Sequence, residues 1–320
     1  MQLKLFTPIS KDILKQGKSY PFNVYTEVEE KIFSILLKAN EVFEQNKENL
    51  LLNRNILTLY IKAEKKNLYQ AYLETHIQTI LEDPSVNLDT KTSFINQMAS
   101  TTMNDLFEKE ISSKNIVQVN SIIDNSVHLI LKDSKAMYSM LKVTSYDYYT
   151  YTHCIDVASY AIGFGVFLAL DKQELITLGK AAMLHDIGKK DIDHDIITKN
   201  GILTYEEFEI IKQHPQLSVA ILKKVGETDE TLLKIIEQHH EKEDGSGYPY
   251  GLKNDEIHHL AKIVSICDIF NALTTRRTYK DPMTSFYAFN IMFEDMKHQL
   301  CQKSLKKFVK FMGYNEKIYS

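Results

Sequence analysis

A chain of 320 residues has room for two domains with separate cores, and 44% hydrophobic against 25% charged residues excludes the composition of a disordered protein. A formal charge of -4 excludes the broad positive field that holds long nucleic acid, while a few local cations can still hold a small anion. Three cysteines, Cys154, Cys267 and Cys301, with no CxxC spacing exclude a disulfide framework and a zinc ribbon and fit a reducing cytoplasm.

Residues 1–13 alternate lysine with apolar side chains and lack the uninterrupted apolar core of a signal peptide. Residues 3–6, 22–25 and 56–61 are apolar, aromatic or β-branched, which predicts short strands. Between them, Val28, Ile32, Ile35, Leu36 and Val42 recur at near-helical spacing, so residues 27–44 are expected to form an amphipathic helix. The start of the chain therefore reads as a small α+β domain.

From Leu68 onward the pattern is helical, with a break over residues 83–87. There Pro84 stops one helix, and Ser85 and Asn87 offer turn or cap chemistry for the next. Residues 116–141 carry Ile122, Ile123, Val127, Ile130, Leu131, Met137 and Leu141 on one face and predict a long connecting helix or a helix pair. The domain boundary is expected near its start, giving an N-terminal domain over 1–115 and a helical domain over 116–320. The nearly uncharged run 157–170 falls short of the roughly 20 residues that span a bilayer, so it reads as a buried helix and no membrane association is expected. Glycine and proline are sparse except over residues 244–251, where concentrated turn chemistry marks a binding loop.

Nine of the 11 histidines lie from His153 onward, in the helical part. In His185-Asp186, an apolar approach (Ala181, Ala182, Met183, Leu184) carries an imidazole and a carboxylate inward together, where each needs a partner and a metal supplies one for both. His153, His214, His239, His240 and Asp268 also lie in helical segments and are candidates for the remaining positions. Imidazole with carboxylate suits iron, manganese or zinc, and one carboxylate can bridge two ions. Two ions in one site favour in-line displacement at phosphorus. The residues by themselves thus lead to a helical binuclear metallohydrolase and leave its substrate open. His76, His128, His194, His258, His259 and His298 lack such a setting and read as surface or structural residues, and Lys190 reads as a solvated lysine at a helix end.

The same residues resemble, in order, the pattern of the HD-GYP family, a bacterial branch of the HD phosphohydrolases. Asp147-Tyr-Tyr-Thr-Tyr-Thr-His153 resembles its opening motif, His185-Asp186-Ile-Gly-Lys189 its HD motif and His214-Pro215 its third histidine. His239-His240-Glu241 followed by Asp244-Gly245-Ser246-Gly247-Tyr248-Pro249 resembles its signature, with Asp268 and Arg277-Thr-Tyr279-Lys280 after it. The match covers about residues 140–300.

The resemblance implies an all-α catalytic domain that hydrolyses cyclic di-GMP, or a related cyclic dinucleotide, to linear pGpG or onward to GMP with a metal-activated hydroxide. It implies two divalent ions, iron first and manganese second. His153, His185, Asp186 and Asp268 would hold one, and Asp186, His214, His239 and His240 the other, with Asp186 bridging. Lys189 would meet the scissile phosphate, and Arg277 and Lys280 would grip phosphates. The loop of Asp244, Gly245, Gly247, Tyr248 and Pro249 would brace the ligand pair or meet a partner, a diguanylate cyclase by resemblance.

Some members carry a glutamate four residues before the first ligand histidine that helps bind a third metal. Tyr149 stands there in this chain, so two metals are expected. Thr278 stands where many members have proline. The N-terminal domain is expected to modulate activity or to organise a homodimer. Two other readings compete: a slow, metal-retaining binding scaffold, and a different HD phosphohydrolase acting on mononucleotides or ppGpp.

Overall fold

The computed structural model describes residues 5–29, 31–54, 56, 58–142, 150–199, 201–275 and 283–319. The chain divides into two compact units, Met1–Phe94 and Ile95–Ser320. As expected, helices dominate and the N-terminal part is a smaller α+β unit.

The first unit holds an antiparallel sheet of β1 (Phe6–Ser10), β2 (Val24–Glu29), β3 (Ile32–Leu37) and β4 (Thr58–Lys62) in the order β1-β4-β2-β3. In β4, Leu59 and Ile61 are buried while Thr58 and Lys62 are exposed, the two-residue alternation of a sheet with one covered face. Helix α1 (Gln45–Asn53) precedes β4, and α2 (Lys66–Glu82) follows it, burying Tyr69, Leu73, Ile77 and Leu81 at a spacing of four. The helix break at 83–87 is where the sequence puts it. Asp83 Oδ1 accepts the Ser85 N–H at 2.8 Å, and Asn87 Oδ1 accepts the Thr90 N–H at 2.9 Å at the start of α3 (Leu88–Glu108).

The helix expected over 27–44 is not formed. Its residues instead complete β2 and build β3, with Lys31 in the left-handed region at φ 62°. The apolar positions that suggested a helical face, Val28, Ile32, Ile35 and Val42, are each about half exposed, whereas Leu36, Leu37 and Phe43 are buried. A short apolar run with β-branched members fits either period, and the adjacent strand, supplying a hydrogen-bonded ladder, decides for extended chain. The first strand also begins at Phe6 and runs to Ser10, later than the sequence suggests; Leu3 lies outside the described residues.

In the second unit, the connecting segment is a pair, α4 (Ser113–Lys132) and α5 (Lys135–Lys142), parted where Asp133 Oδ1 accepts the Lys135 N–H at 2.9 Å. Ile122, Ile123, Val127, Ile130 and Met137 are buried, but Leu131, expected on that face, is 52% exposed because it lies one position past the buried stripe. The side chain of Leu141 lies outside the described residues. There follow α6 (Thr150–Phe167), α7 (Lys172–Leu184), the short α8 (His194–Ile197), α9 (Tyr205–Ile211), α10 (His214–Lys224), α11 (Glu230–Gln238), α12 (His259–Thr274), α13 (Ser285–Glu294) and α14 (Gln302–Tyr319). Local chemistry sets several starts: Asp171 with Glu174 caps α7, Thr204 with Glu207 caps α9, and Asp229 caps α11.

Helix α6 is the buried helix expected over 157–170. It packs on α7 and α12, and Phe164 joins Phe308 and Phe311 of α14, with the Phe164 and Phe308 rings 5.1 Å apart. Helix α7 packs on α4 and α11, and α10 packs on α11 and on the 3-10 turn Ile187–Asp191. Among the described residues, no helix is long and apolar enough to cross a membrane.

Candidate metal centre

Helix ends and one helix interior bring the donors together. His153 lies near the start of α6 and Asp268 within α12, while His185 and Asp186 follow the last turn of α7. His214 opens α10, with Pro215 behind it where a missing N–H costs nothing, and His239 and His240 follow α11. Their ligand atoms form two groups, Asp186 with His214, His239 and His240, and His153 with His185 and Asp268, each within a 4.8 Å span. Asp186 Oδ2 connects the groups, 3.5 Å from His185 Nε2 and 3.8 Å from His153 Nε2, while its Oδ1 is 3.2 Å from His214 Nε2.

Four of the five imidazoles are held by oxygens that only accept. His185 Nδ1 lies 2.8 Å from the Ala182 carbonyl, His214 Nδ1 2.8 Å from Ile211, His239 Nδ1 2.6 Å from Ile236, and His153 Nδ1 2.7 Å from Asn271 Oδ1. Each Nδ1 therefore carries the proton and each Nε2 presents a lone pair in the neutral ring. Those lone pairs converge on one another and on carboxylate oxygens. His214 Nε2 is 3.2 Å from His239 Nε2, and His153 Nε2 is 3.0 Å from Asp268 Oδ1. His185 Nε2 and Asp186 Oδ1 are buried with no hydrogen-bonded partner. A cation between buried acceptors facing one another would satisfy them, and this nitrogen and carboxylate set fits divalent metal ions.

Charge follows the same logic. Burial alone would raise the Asp186 carboxyl, but the Lys189 ammonium beside it outweighs burial and holds it well below the usual carboxylate range. Asp268 is likewise held well below the usual range, against burial, wherever the facing His153 ring carries a proton toward it. Burial, then neighbouring imidazoles, push His239 and His240 well below the ordinary histidine value, and burial lowers His185 despite Asp186.

In the metal-free protein, an unfolded chain therefore takes up histidine protons below about pH 6.5 that the folded chain resists. Around and below the ordinary carboxylate range, it takes up carboxyl protons as well. Both effects have one sign, so the melting temperature of the metal-free protein is expected to fall between pH 7.5 and 5.5. A rise, measured by calorimetry, would contradict this account.

Lys189 Nζ lies 2.6 Å from Asp186 Oδ2, beside the junction of the two groups, and remains partly exposed. Lys190, read from sequence as solvated, instead donates to the Leu106 carbonyl at 3.0 Å and to that of Lys109 at the end of α3. Those carbonyls have no partner further along the helix, which is why a lysine beside them is drawn in. Tyr149, Arg277 and Lys280 lie outside the described residues.

The loop after the ligand pair folds back on it. Asp244 Oδ1 accepts the Ser246 N–H at 2.9 Å, Gly245 takes φ 81°, and the Tyr248 ring lies 4.7 Å from that of His240, with Pro249 following. Burial pushes the Tyr248 phenol upward, so it stays protonated and can donate but not act as a base.

Sequence reading missed three supports. Asn271 orients His153 and sits one turn after Asp268, a spacing that places both on one face of α12. Ser218, one turn after His214, accepts the Gly188 N–H at 2.8 Å and donates to the His185 carbonyl at 3.0 Å. Cys154 lies with His185 and Asp186, and burial raises its thiol. No sequence signal separates that cysteine from an ordinary core residue.

The family described as HD domain matches residues 118–301. A cyclic di-GMP phosphodiesterase of Pseudomonas aeruginosa is 31% identical over 194 residues, 61% of this chain and 47% of that protein. A 3'3'-cGAMP-specific phosphodiesterase of Vibrio cholerae is 36% identical over 162 residues, 50% of this chain and 35% of that protein. The chain thus spans less than half the length of either relative. The solved structure of an HDG"Y"P protein from Bdellovibrio bacteriovorus superposes with a TM-score of 0.68 at 19% identity, covering 96% of this chain and 99% of that one, a likeness of fold. The chain belongs to the HD domain family, and the motifs it carries there are those of the HD-GYP branch.

Proposed function

We propose that this chain is a metal-dependent phosphodiesterase that opens a cyclic dinucleotide, cyclic di-GMP first, to linear pGpG and in part onward to GMP. The observation that carries this reading is the convergence of four Nε2 lone pairs, each fixed by an Nδ1 hydrogen bond, around the Asp186 carboxylate. When bound, two divalent ions supply Lewis acidity at a phosphoryl oxygen and acidify water to a nucleophile near neutral pH.

The chain's own residues do the rest. Asp186 serves both ligand groups, and the buried imidazoles keep their lone pairs because burial disfavours the imidazolium. Lys189 exchanges Asp186 for an oxygen of the scissile phosphate, where its ammonium stabilises developing charge. Arg277 and Lys280 take the other phosphate oxygens. Iron is the first candidate metal and manganese the second, with Tyr149 disfavouring a third. Residues 116–320 are assigned the catalysis and 1–115 its modulation or homodimerisation. A diguanylate cyclase is the proposed partner of the 244–249 loop.

The similarity to a 3'3'-cGAMP-specific enzyme favours a mixed cyclic dinucleotide as the second substrate reading. The test is anaerobic turnover of both dinucleotides by purified protein, with metals counted in the same sample and pGpG resolved from GMP. Product with about two metals per chain supports the reading. No product from either dinucleotide at full occupancy, in both reduced iron and manganese forms, overturns it in favour of a binding scaffold or another nucleotide.

Lys189→Ala is expected to retain both metals and to lower kcat by about 10²- to 10³-fold, the range for loss of one charge-stabilising donor. An unchanged kcat would remove the phosphate contact while leaving the metal centre standing.

A further inference from the structure

The reading of His239 and His240 as ligands leaves the buried carboxylate that follows them without a task. Glu241 is 3% exposed, yet it points at no metal group. Its two oxygens are instead occupied by the next loop: Oε1 accepts the Tyr250 N–H at 2.7 Å, and Oε2 accepts the Leu252 N–H at 2.9 Å. The loop touches the ligand pair at further points. The Tyr248 N–H donates to the His240 carbonyl at 3.3 Å, and the Tyr248 ring lies over the His240 ring, tilted 31°. Gly247 approaches so closely that a Cβ there would lie 2.5 Å from Glu241 Cα and 2.4 Å from the Lys242 nitrogen, contact only glycine permits.

The need for this loop lies in His240 itself. It follows the last turn of α11, beyond the helical ladder. Among the described residues, His153, His185, His214 and His239 each have an Nδ1 hydrogen bond that orients the ring, and His240 has none. Ligand rings lacking such a bond need another restraint to hold their lone pair on the metal. Here the restraint is the Tyr248 ring, and the Tyr248 backbone is held by a loop that Glu241 closes at its far side.

We propose that Glu241 is a positioning residue for the metal shared by Asp186, His214, His239 and His240, clasping the 244–252 loop so that Tyr248 fixes the His240 ring. The inference rests on the metal-centre reading above. A carboxylate suits the task because two backbone N–H groups need two acceptor oxygens. A glutamine offers one acceptor oxygen, and its amide nitrogen faces the second N–H as another donor.

The test is manganese(II) titration of the full chain after metal removal, with free manganese read by electron paramagnetic resonance. Wild type is expected to bind two ions. Glu241→Gln is expected to keep one affinity within about twofold and to weaken the other by about 10- to 100-fold, the usual cost of losing an outer partner of a ligand. Glu243→Gln, which alters a neighbouring carboxylate paired with Lys262 Nζ at 2.8 Å, is expected to leave both affinities unchanged. Two wild-type affinities in both Glu241→Gln and Glu241→Ala would overturn the proposal. So would equal weakening of both sites together with lost helical circular dichroism in both variants, which would make Glu241 a general packing residue. If wild type binds fewer than two ions, or His240→Ala binds manganese as wild type does, the metal-centre reading fails and this inference goes with it.

Discussion

Asp186→Asn is expected to lower turnover of cyclic di-GMP by about 10³-fold or more and to reduce bound metal below two per chain, because one side chain serves both ligand groups. Its oxygens lie 3.2 Å from His214 Nε2, 3.5 Å from His185 Nε2 and 2.6 Å from Lys189 Nζ. Asparagine has the same shape but no charge, and its amide can donate to one of the facing Nε2 lone pairs. The metal-free variant should fold but melt below metal-free wild type, because the ionised carboxylate that the Lys189 ammonium stabilises is replaced by a neutral amide. Steady-state rates, metal analysis and calorimetry on the same preparation check the three parts. Wild-type turnover in this variant would sink the mechanism, whereas lost turnover with lost folding would show only that the position is structural.

Gly188→Ala is expected to destabilise the protein by about 3 kcal/mol, lowering the melting temperature by on the order of 10 °C, and to weaken metal binding along with it. The mechanism is steric. A Cβ at Gly188 would stand 2.2 Å from the His214 carbonyl oxygen and 2.5 Å from the Ser218 nitrogen, so the turn after Asp186 would be pushed off the first turn of α10. That contact joins the two halves of the site: the Gly188 N–H reaches Ser218 Oγ, which in turn holds the His185 carbonyl. Backbone cannot yield as a flexible side chain can, which makes this substitution costlier than an ordinary glycine-to-alanine change in a helix. Thermal unfolding of the metal-free variant measures the steric part, and a wild-type melting temperature would contradict the close packing.

The candidate metal donors were legible because burying histidine and carboxylate is costly. His185 and Asp186 sit at the end of an apolar helix that carries them inward, and a sequence that does this must supply a partner. The same reasoning singled out Asp268 between apolar neighbours on α12. Helix breaks at Asp83 and Asn87 were legible for a local reason, since each side chain bonds to a backbone N–H two or three residues away.

The misread strand Ile32–Leu37 marks the limit of that reasoning. Six residues fit either period, and the partner strand β2, not the segment itself, selects the extended form. Lys190 is a second case, since no local pattern announces that the carbonyls of Leu106 and Lys109, some 80 positions away, will accept hydrogen bonds from its ammonium.

By itself, then, the sequence determined what depends on neighbours along the chain: the periods of the longer helices, caps, turn glycines, and which groups are candidates to hold a cation. Only the tertiary structure decided what depends on neighbours across space. It put Asp186 between two groups of imidazoles, turned four of the five Nε2 lone pairs toward them through a carbonyl or amide oxygen, and set Glu241 on the loop. The reason is that a hydrogen bond of about 3 Å is satisfied only by the packing that brings its two ends together, whatever their separation in sequence.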